Sequence, residues 1–154
     1  MPETDGVETQ GQQIKSSSGR PERQLVTTGT KYEFQFGYSR AVRHGNVIRV
    51  AGTAGLDEDG NPLSTGIVDQ TRRALEILKA AIEDLGGRLE DTIMTRVYVS
   101  DVASIESVAV IHGDFFRDIR PATTIVQVNF IDPRIQVEIE AEAVYGGADA
   151  KQSA

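Results

Sequence analysis

Apolar and polar positions along the chain alternate between strand-like and helix-like stretches. Tyr32-Glu33-Phe34-Gln35-Phe36 alternates aromatic with polar, the period of a strand, and predicts a first strand there. Ser39 to Arg43 continues as a short second strand. His44-Gly45-Asn46 has turn chemistry, and Val47 to Ala51 returns as the other arm of a hairpin. Gly52-Thr53-Ala54-Gly55 leaves that strand, and Asp57 to Pro62 is a polar turn. From about Gly66 to Leu85 the period changes. Leu75, Leu78, Ile82 and Leu85 step by three and four, placing them on one stripe of a helix. Asp69 suits the first turn, and Gly86-Gly87 ends the helix.

Thr92 to Val99 predicts a further strand. Ser100 or Asp101 then caps a second helix, roughly Val102 to Phe116, with Ile105, Val108, His112 and Phe115 on one face. The last ordered stretch holds two strands, within Ile119–Val128 and Gln136–Val144, joined by the turn Ile131-Asp132-Pro133-Arg134. The final strand sets Glu138, Glu140 and Glu142 on one face and apolar residues on the other. Carboxylates are poor strand formers and repel along a face, so this is either solvated surface or half of a site. The order predicts an α+β layer: a mixed sheet of about six strands with both helices on one face. Two helices cannot cover both sides of a sheet, so the opposite face is expected to be buried against copies of the chain.

Composition adjusts this picture at the ends. Residues 1–24 are polar and rich in Ser, Gly, Gln and Glu, which predicts a disordered tail. Residues 25–146 form the expected folded domain and 147–154 a C-terminal tail. The formal net charge of -7 opposes binding to nucleic acid or anionic membrane. No apolar run approaches the ~20 residues needed to span a bilayer, and the N-terminus lacks the charged-then-apolar order of a signal peptide. With no cysteine in the chain, a cytoplasmic setting is expected, and disulfides and thiolate metal sites are excluded.

Candidate chemistry is sparse. The two histidines, His44 and His112, do not form a metal-ligand pattern, and no metal site is expected. His44 reads as a turn residue. His112 reads as a core histidine, with a catalytic base as the rival. The acidic turn at Asp57 lacks the downstream acidic residue of a calcium loop, since Ile67 and Val68 stand there. Gly52 and Gly55 are not a dinucleotide fingerprint, because no helix follows directly.

Particular words add a resemblance. Gly37-Tyr38-Ser39, Val50-Ala51-Gly52, Arg96-Val97-Tyr98-Val99-Ser100-Asp101, Phe115-Phe116, Arg120-Pro121-Ala122 and Val137-Glu138-Ile139-Glu140-Ala141 occur in order between Phe36 and Tyr145. In this the chain resembles the Rid family, also called the YjgF family of reactive-intermediate deaminases. The resemblance implies a chorismate-mutase-like fold, a homotrimer with sites at subunit interfaces, and cofactor-independent hydrolysis of small enamines or imines. It implies a water-positioning or water-activating role for Glu138 and a substrate-orienting role for Tyr38. Deaminase members carry an arginine after the Pro-Ala pair that clamps the substrate carboxylate; here that residue is Thr123.

A guanidinium grips a carboxylate with two charged hydrogen bonds, and a hydroxyl offers one neutral donor. Losing such a buried contact costs about 2–5 kcal/mol of binding. Arg120, Arg40 and Arg43 are candidates to carry the displaced charge, with an interface ion pair to Glu138 or Glu140 as the other reading. Thr53 and Thr124 are polar liners. The expected function is therefore a Rid-like hydrolase acting on a small anionic enamine or imine without the usual arginine clamp. The alternative is a non-catalytic homotrimer that binds a small molecule or another protein.

Overall fold

The computed structural model describes residues 13–14 and 22–146. Most of the expected N-terminal tail, and the C-terminal tail 147–154, lie outside these residues. Seven strands form one sheet: β1 (Gln13–Ile14), β2 (Arg23–Val26), β3 (Ala41–His44), β4 (Val47–Ala54), β5 (Thr92–Val99), β6 (Ala122–Gln127) and β7 (Val137–Val144). Their order is β1-β2-β3-β4-β7-β5-β6. Strands β5 and β6 run parallel, and every other neighbouring pair is antiparallel. Strands β2 to β7 make a six-stranded mixed sheet, as expected, but its first strand is Arg23–Val26 rather than Tyr32–Phe36, and the two-residue β1 adds an edge.

Three helices accompany the sheet: α1 (Lys31–Phe36), α2 (Ile67–Asp84) and α3 (Ile105–Phe116). The stripe read from sequence is the buried face of α2, where Leu75, Leu78 and Ile82 are fully enclosed. Val108, Ile111 and Phe116 of α3 join them over Ile48, Val97, Val99, Val137 and Ile139. Each such aliphatic side chain contributes about 1.5–3 kcal/mol of burial. The apolar side of β7 is buried at Val137, Ile139, Ala141 and Ala143, while Glu138, Glu140 and Glu142 face away from the helices.

The segment Tyr32–Phe36 is helical, not the expected strand. Its single buried side chain is Glu33; Tyr32, Phe34 and Phe36 are all exposed. The aromatic-polar alternation therefore matches no buried sheet face. Tyr32 and Phe36 stack instead across one helical turn, with centroids 6.1 Å apart. The Glu33 carboxylate accepts from the Thr27 hydroxyl and from the N–H and hydroxyl of Thr28, which ties the chain entering α1 to the helix itself.

Strand β4 also continues through Gly52-Thr53-Ala54, where its end was expected, because a bulge between Val50 and Thr53 keeps it paired with β7. The second long helix starts later than Val102. Residues Val102–Ser104 form a 3₁₀ turn, and Asp101 caps it by accepting from the Ala103 N–H at 2.9 Å.

One close approach fixes α2 beside the end of β4. A Cβ at Gly55 would lie 2.2 Å from the Gln70 carbonyl oxygen, so no side chain fits there. The buried Gln70 amide then braces two loops. Its Nε2 donates to the carbonyls of Leu63 (2.8 Å) and Arg134 (2.9 Å), and its Oε1 accepts from the Gln136 N–H (2.9 Å). Gln136 leads directly into β7, so the brace sets where the acidic strand begins. No helix among the described residues is long and apolar enough to cross a membrane.

Gln70→Ala removes three hydrogen bonds to partly buried or exposed backbone groups, which is expected to destabilise the fold by about 1–3 kcal/mol. Urea unfolding checks this; a loss below about 0.5 kcal/mol, less than one net hydrogen bond, contradicts the brace.

Candidate functional site

The three carboxylates of β7 share a face but not an environment. Register places Arg96 opposite Glu140 and Arg49 opposite Glu142. Both pairs are ion pairs, at 3.7 Å and 3.5 Å. The Tyr98 hydroxyl also donates to Glu140, at 2.5 Å, and this bond is the main reason its phenol titrates above its usual range. Opposite Glu138 the strands offer Tyr98 and Ala54. The Glu138 carboxylate makes no ion pair or hydrogen bond among the described residues. Burial pushes its carboxyl above the ordinary carboxylate range; the Arg40 guanidinium pulls it back in part, and Glu140 adds to the rise.

Gly52 makes this placement possible. A Cβ there would lie 2.8 Å from Glu138 Oε2, so the carboxylate rests directly on the glycine backbone. Arg40 holds the same residue from another side: its Nη1 donates to the Gly52 carbonyl at 2.9 Å and to Thr53 Oγ1 at 3.1 Å. The Thr53 hydroxyl passes on to the Ala51 carbonyl at 2.7 Å. Arg40 Nε is buried without a partner. Tyr38, Arg40 and Thr53 line one cavity of about 660 Å³, together with Glu33, Arg73 and the turn Asp57 to Gly60. Hydrogen bonds from Thr27 and Thr28 and the charge of Arg40 outweigh the effect of burial on Glu33 and hold its carboxyl below the ordinary range.

The arginines that sequence left equivalent are separated here. Arg43 is committed to the end of α2: Nη1 donates to the Leu85 carbonyl at 2.9 Å, and the guanidinium lies 3.7 Å from the Tyr145 ring centroid. Arg40 is half committed. The exposed Arg120 has no side-chain hydrogen bond or ion pair among the described residues. Its backbone is in the left-handed region at φ 54°, where its N–H closes α3 on the Phe116 carbonyl at 2.8 Å. Glycine usually fills such a helix-ending position.

Thr123 lies on the other side of the sheet from Glu138. Its hydroxyl is 2.9 Å from Thr95 Oγ1. Thr95 is fully buried beneath α3, where its hydroxyl also meets His112 Nε2 at 2.9 Å. So Arg40, Thr53 and Glu138 gather around Gly52, Tyr38 lines the cavity on the Arg40 and Thr53 side, Thr123 and His112 form a second cluster, and Arg120 stands at the chain turn into β6. Thr124 is exposed on edge strand β6. Sequence reasoning missed Gly52 as the seat of Glu138 and Thr95 as the link between Thr123 and His112. The alternation of β5 carried a signal for Thr95, a hydroxyl in line with the apolar Val97 and Val99. No cluster of metal-ligating side chains occurs among the described residues.

The family described as Endoribonuclease L-PSP matches residues 30–145. A Mycobacterium tuberculosis protein of the YjgF family, known from a crystal structure, superposes with a TM-score of 0.72 at 40% identity, over 79% of this chain and 98% of that one. A RutC family protein of Pyrococcus abyssi is 33% identical over 107 residues, covering 69% of this chain and 84% of that protein. The 3-aminoacrylate deaminase RutC of Acinetobacter baylyi is 30% identical over 107 residues, covering 69% of this chain and 85% of that protein.

A raised carboxyl has a definite effect on stability. Above the ordinary carboxylate range the folded state holds more proton at Glu138 than the unfolded state does, so stability falls as pH rises through the folded value. Glu138→Gln removes that cost. The variant is expected to melt above wild type near neutral pH, with the gap closing as the pH is lowered toward 4 and wild type becomes protonated. A gap that stays constant across this range contradicts the assignment.

Proposed function

We infer that this chain, which belongs to the endoribonuclease L-PSP family (the YjgF or Rid family), hydrolyses a small anionic enamine or imine to a carbonyl compound and ammonia. The observation that carries this reading is the contrast along β7. Two of its three carboxylates are neutralised by cross-strand arginines, and Glu138 is kept unpaired with its carboxyl raised. A carboxyl raised above its ordinary range and left without an ion-pair partner is the kind of group acid–base catalysis uses.

Water adds to the imine carbon and gives a proton to the Glu138 carboxylate, which passes it to the nitrogen and returns to the carboxylate form. The resulting carbinolamine expels ammonia and leaves the carbonyl. Arg40 supplies positive charge beside Glu138, and Tyr38 and Thr53 line the cavity in which the substrate is turned. Of the candidate arginines Arg40, Arg43 and Arg120, only Arg120 has no side-chain hydrogen bond or ion pair among the described residues. A non-glycine residue in the left-handed region is tolerated at a cost of about 1–2 kcal/mol, and such strain is more often retained where a side chain has work to do.

Thr123 and Glu138 face opposite sides of one sheet, so they meet on a small substrate only if two copies share the site. The exposed edge strand β6 and the helix-free sheet face support that arrangement, and a homotrimer fits it. A formal charge of -7 disfavours RNA as the substrate. The second reading, a trimer that binds a small acid without turning it over, is favoured by one observation: Thr123 offers a neutral hydroxyl where a clamp would be cationic.

Imino acids generated in place by an amino-acid oxidase separate the two. The hydrolase releases ammonia faster than the buffer blank, whereas the binder shows only ligand-dependent melting shifts. Glu138→Gln is expected to lower kcat about 100-fold. Arg120→Gly is expected to raise KM while melting at or above wild type. Full turnover by both variants overturns the assignment.

A further inference from the structure

His112, Thr95 and Thr123 form a hydrogen-bonded line from the interior to the sheet edge. His112 Nε2 lies 2.9 Å from Thr95 Oγ1, and Thr95 Oγ1 lies 2.9 Å from Thr123 Oγ1. Three elements build it: α3 supplies the imidazole, β5 the buried hydroxyl, and β6 the exposed one. The parallel register of β5 on β6 sets Thr95 beside Thr123. Thr123 Oγ1 also lies 3.1 Å from the Pro121 carbonyl, which competes with Thr95 Oγ1 for its one hydroxyl hydrogen; the line is continuous when that hydrogen points to Thr95 and the Thr95 hydrogen to His112. Thr95 is fully buried and Thr123 is exposed, so the line ends at a surface where a substrate can arrive. A buried threonine can satisfy its hydroxyl on a nearby backbone carbonyl, as Thr71 does on Ile67. Thr95 instead spends its hydroxyl on two other side chains.

We propose that Thr95 carries protons between His112 Nε2 and Thr123 Oγ1, making the Thr123 hydroxyl the group that exchanges a proton with the substrate nitrogen. Thr123 thereby serves as a proton carrier rather than as a weak clamp, and His112 is the positioning base behind it. This rests on the hydrolase reading above and narrows its substrate to an enamine that must first become an imine.

The steps balance. Protonated Glu138 gives its proton to the enamine carbon as the C=C pair moves there. The nitrogen loses a proton to Thr123 Oγ1, whose own proton passes to Thr95 and that of Thr95 to His112 Nε2, and the C=N bond forms. Glu138 is now a carboxylate and His112 an imidazolium. Water then adds to the imine carbon and gives a proton to Glu138, and the line returns the imidazolium proton to the nitrogen. Both groups are reset, and the carbinolamine releases ammonia.

His112 suits the accepting role. Burial lowers its pKa, leaving the resting ring neutral near pH 7, and no charged group adds to that shift. The groups facing the ring are the Thr95 hydroxyl from β5 and, within α3, the Phe116 ring, 4.6 Å away between centroids. Arg72 of α2 and Asp114 of α3 are paired with each other at 3.5 Å.

Ring nitrogen chemical shifts and enamine turnover test this together. The chain has only two histidines, so the His112 signals are assigned by their loss in His112→Gln. The expected ring is neutral with Nε2 unprotonated and hydrogen-bonded, and Thr95→Val moves its Nε2 shift and its titration. Thr95→Val and His112→Gln are expected to lose at least tenfold in kcat on an enamine, and the low-pH limb of the profile that reports His112 should vanish in His112→Gln. Thr95→Ser, which keeps the hydroxyl, is expected to stay within about threefold of wild type. A ring protonated at Nε2, or variants that keep wild-type turnover and pH profile, overturns the proposal. A wild type inactive on every enamine overturns the hydrolase reading instead, and the ring spectrum distinguishes that failure from a failure of the line.

Discussion

The site depends on one constraint: a carboxylate held half-buried without a partner. Strand β7 presents three glutamates to one face, and the register of its neighbours decides their fates. Glu140 and Glu142 meet arginines across the strand pairs, while Glu138 meets Ala54 and Tyr98. An unpaired buried charge is costly, and the usual response is a shift in protonation. Gly52 is what lets the carboxylate sit there, since any side chain at that position would occupy its place. The Arg40 guanidinium, fixed on the Gly52 carbonyl, supplies enough positive charge to moderate the rise without closing an ion pair. Everything else proposed for the site is arranged around that carboxylate.

The same sheet keeps two chemistries apart. On the helix-free face are Glu138 and the paired charges. On the helix face, at the edge, are the hydroxyls of Thr123 and Thr95 with His112 behind them. Alternation along a strand makes this separation unavoidable within one chain. Strand β6 lies at the sheet's end and is exposed apart from the partly buried Ile125, so in the proposed reading a second copy supplies the missing half. On this account the absent arginine is not simply a loss, because the threonine in its place is wired to a histidine.

Much of the fold was legible in the sequence because its signals are long. The stripe of α2 and the alternation of β5 and β7 extend over enough residues to specify the element and its buried side. The failure at Tyr32–Phe36 is instructive. Five residues of alternation fit a strand, but no sheet neighbour received the aromatic face, and Glu33 was drawn inward by Thr27 and Thr28. Tyr38, Arg40 and Glu138 were nameable from motifs, and Tyr38 with Arg40 does line one cavity. What sequence could not supply was pairing. Register alone distinguishes Glu138 from its two neighbours, and it alone links Thr123 to His112 through a residue from a different strand.

The central claim is that the site joins Glu138 of one copy to Thr123 of another, and subunit mixing tests it most directly. Glu138→Gln and Thr123→Val are each prepared, unfolded together in equal amounts and refolded. The account predicts that each variant alone is deficient and that the mixture recovers enamine hydrolysis well above either parent, because some interfaces unite an intact Glu138 with an intact Thr123. A mixture no more active than the average of its parents, with mixed oligomers shown to be present, would contradict it.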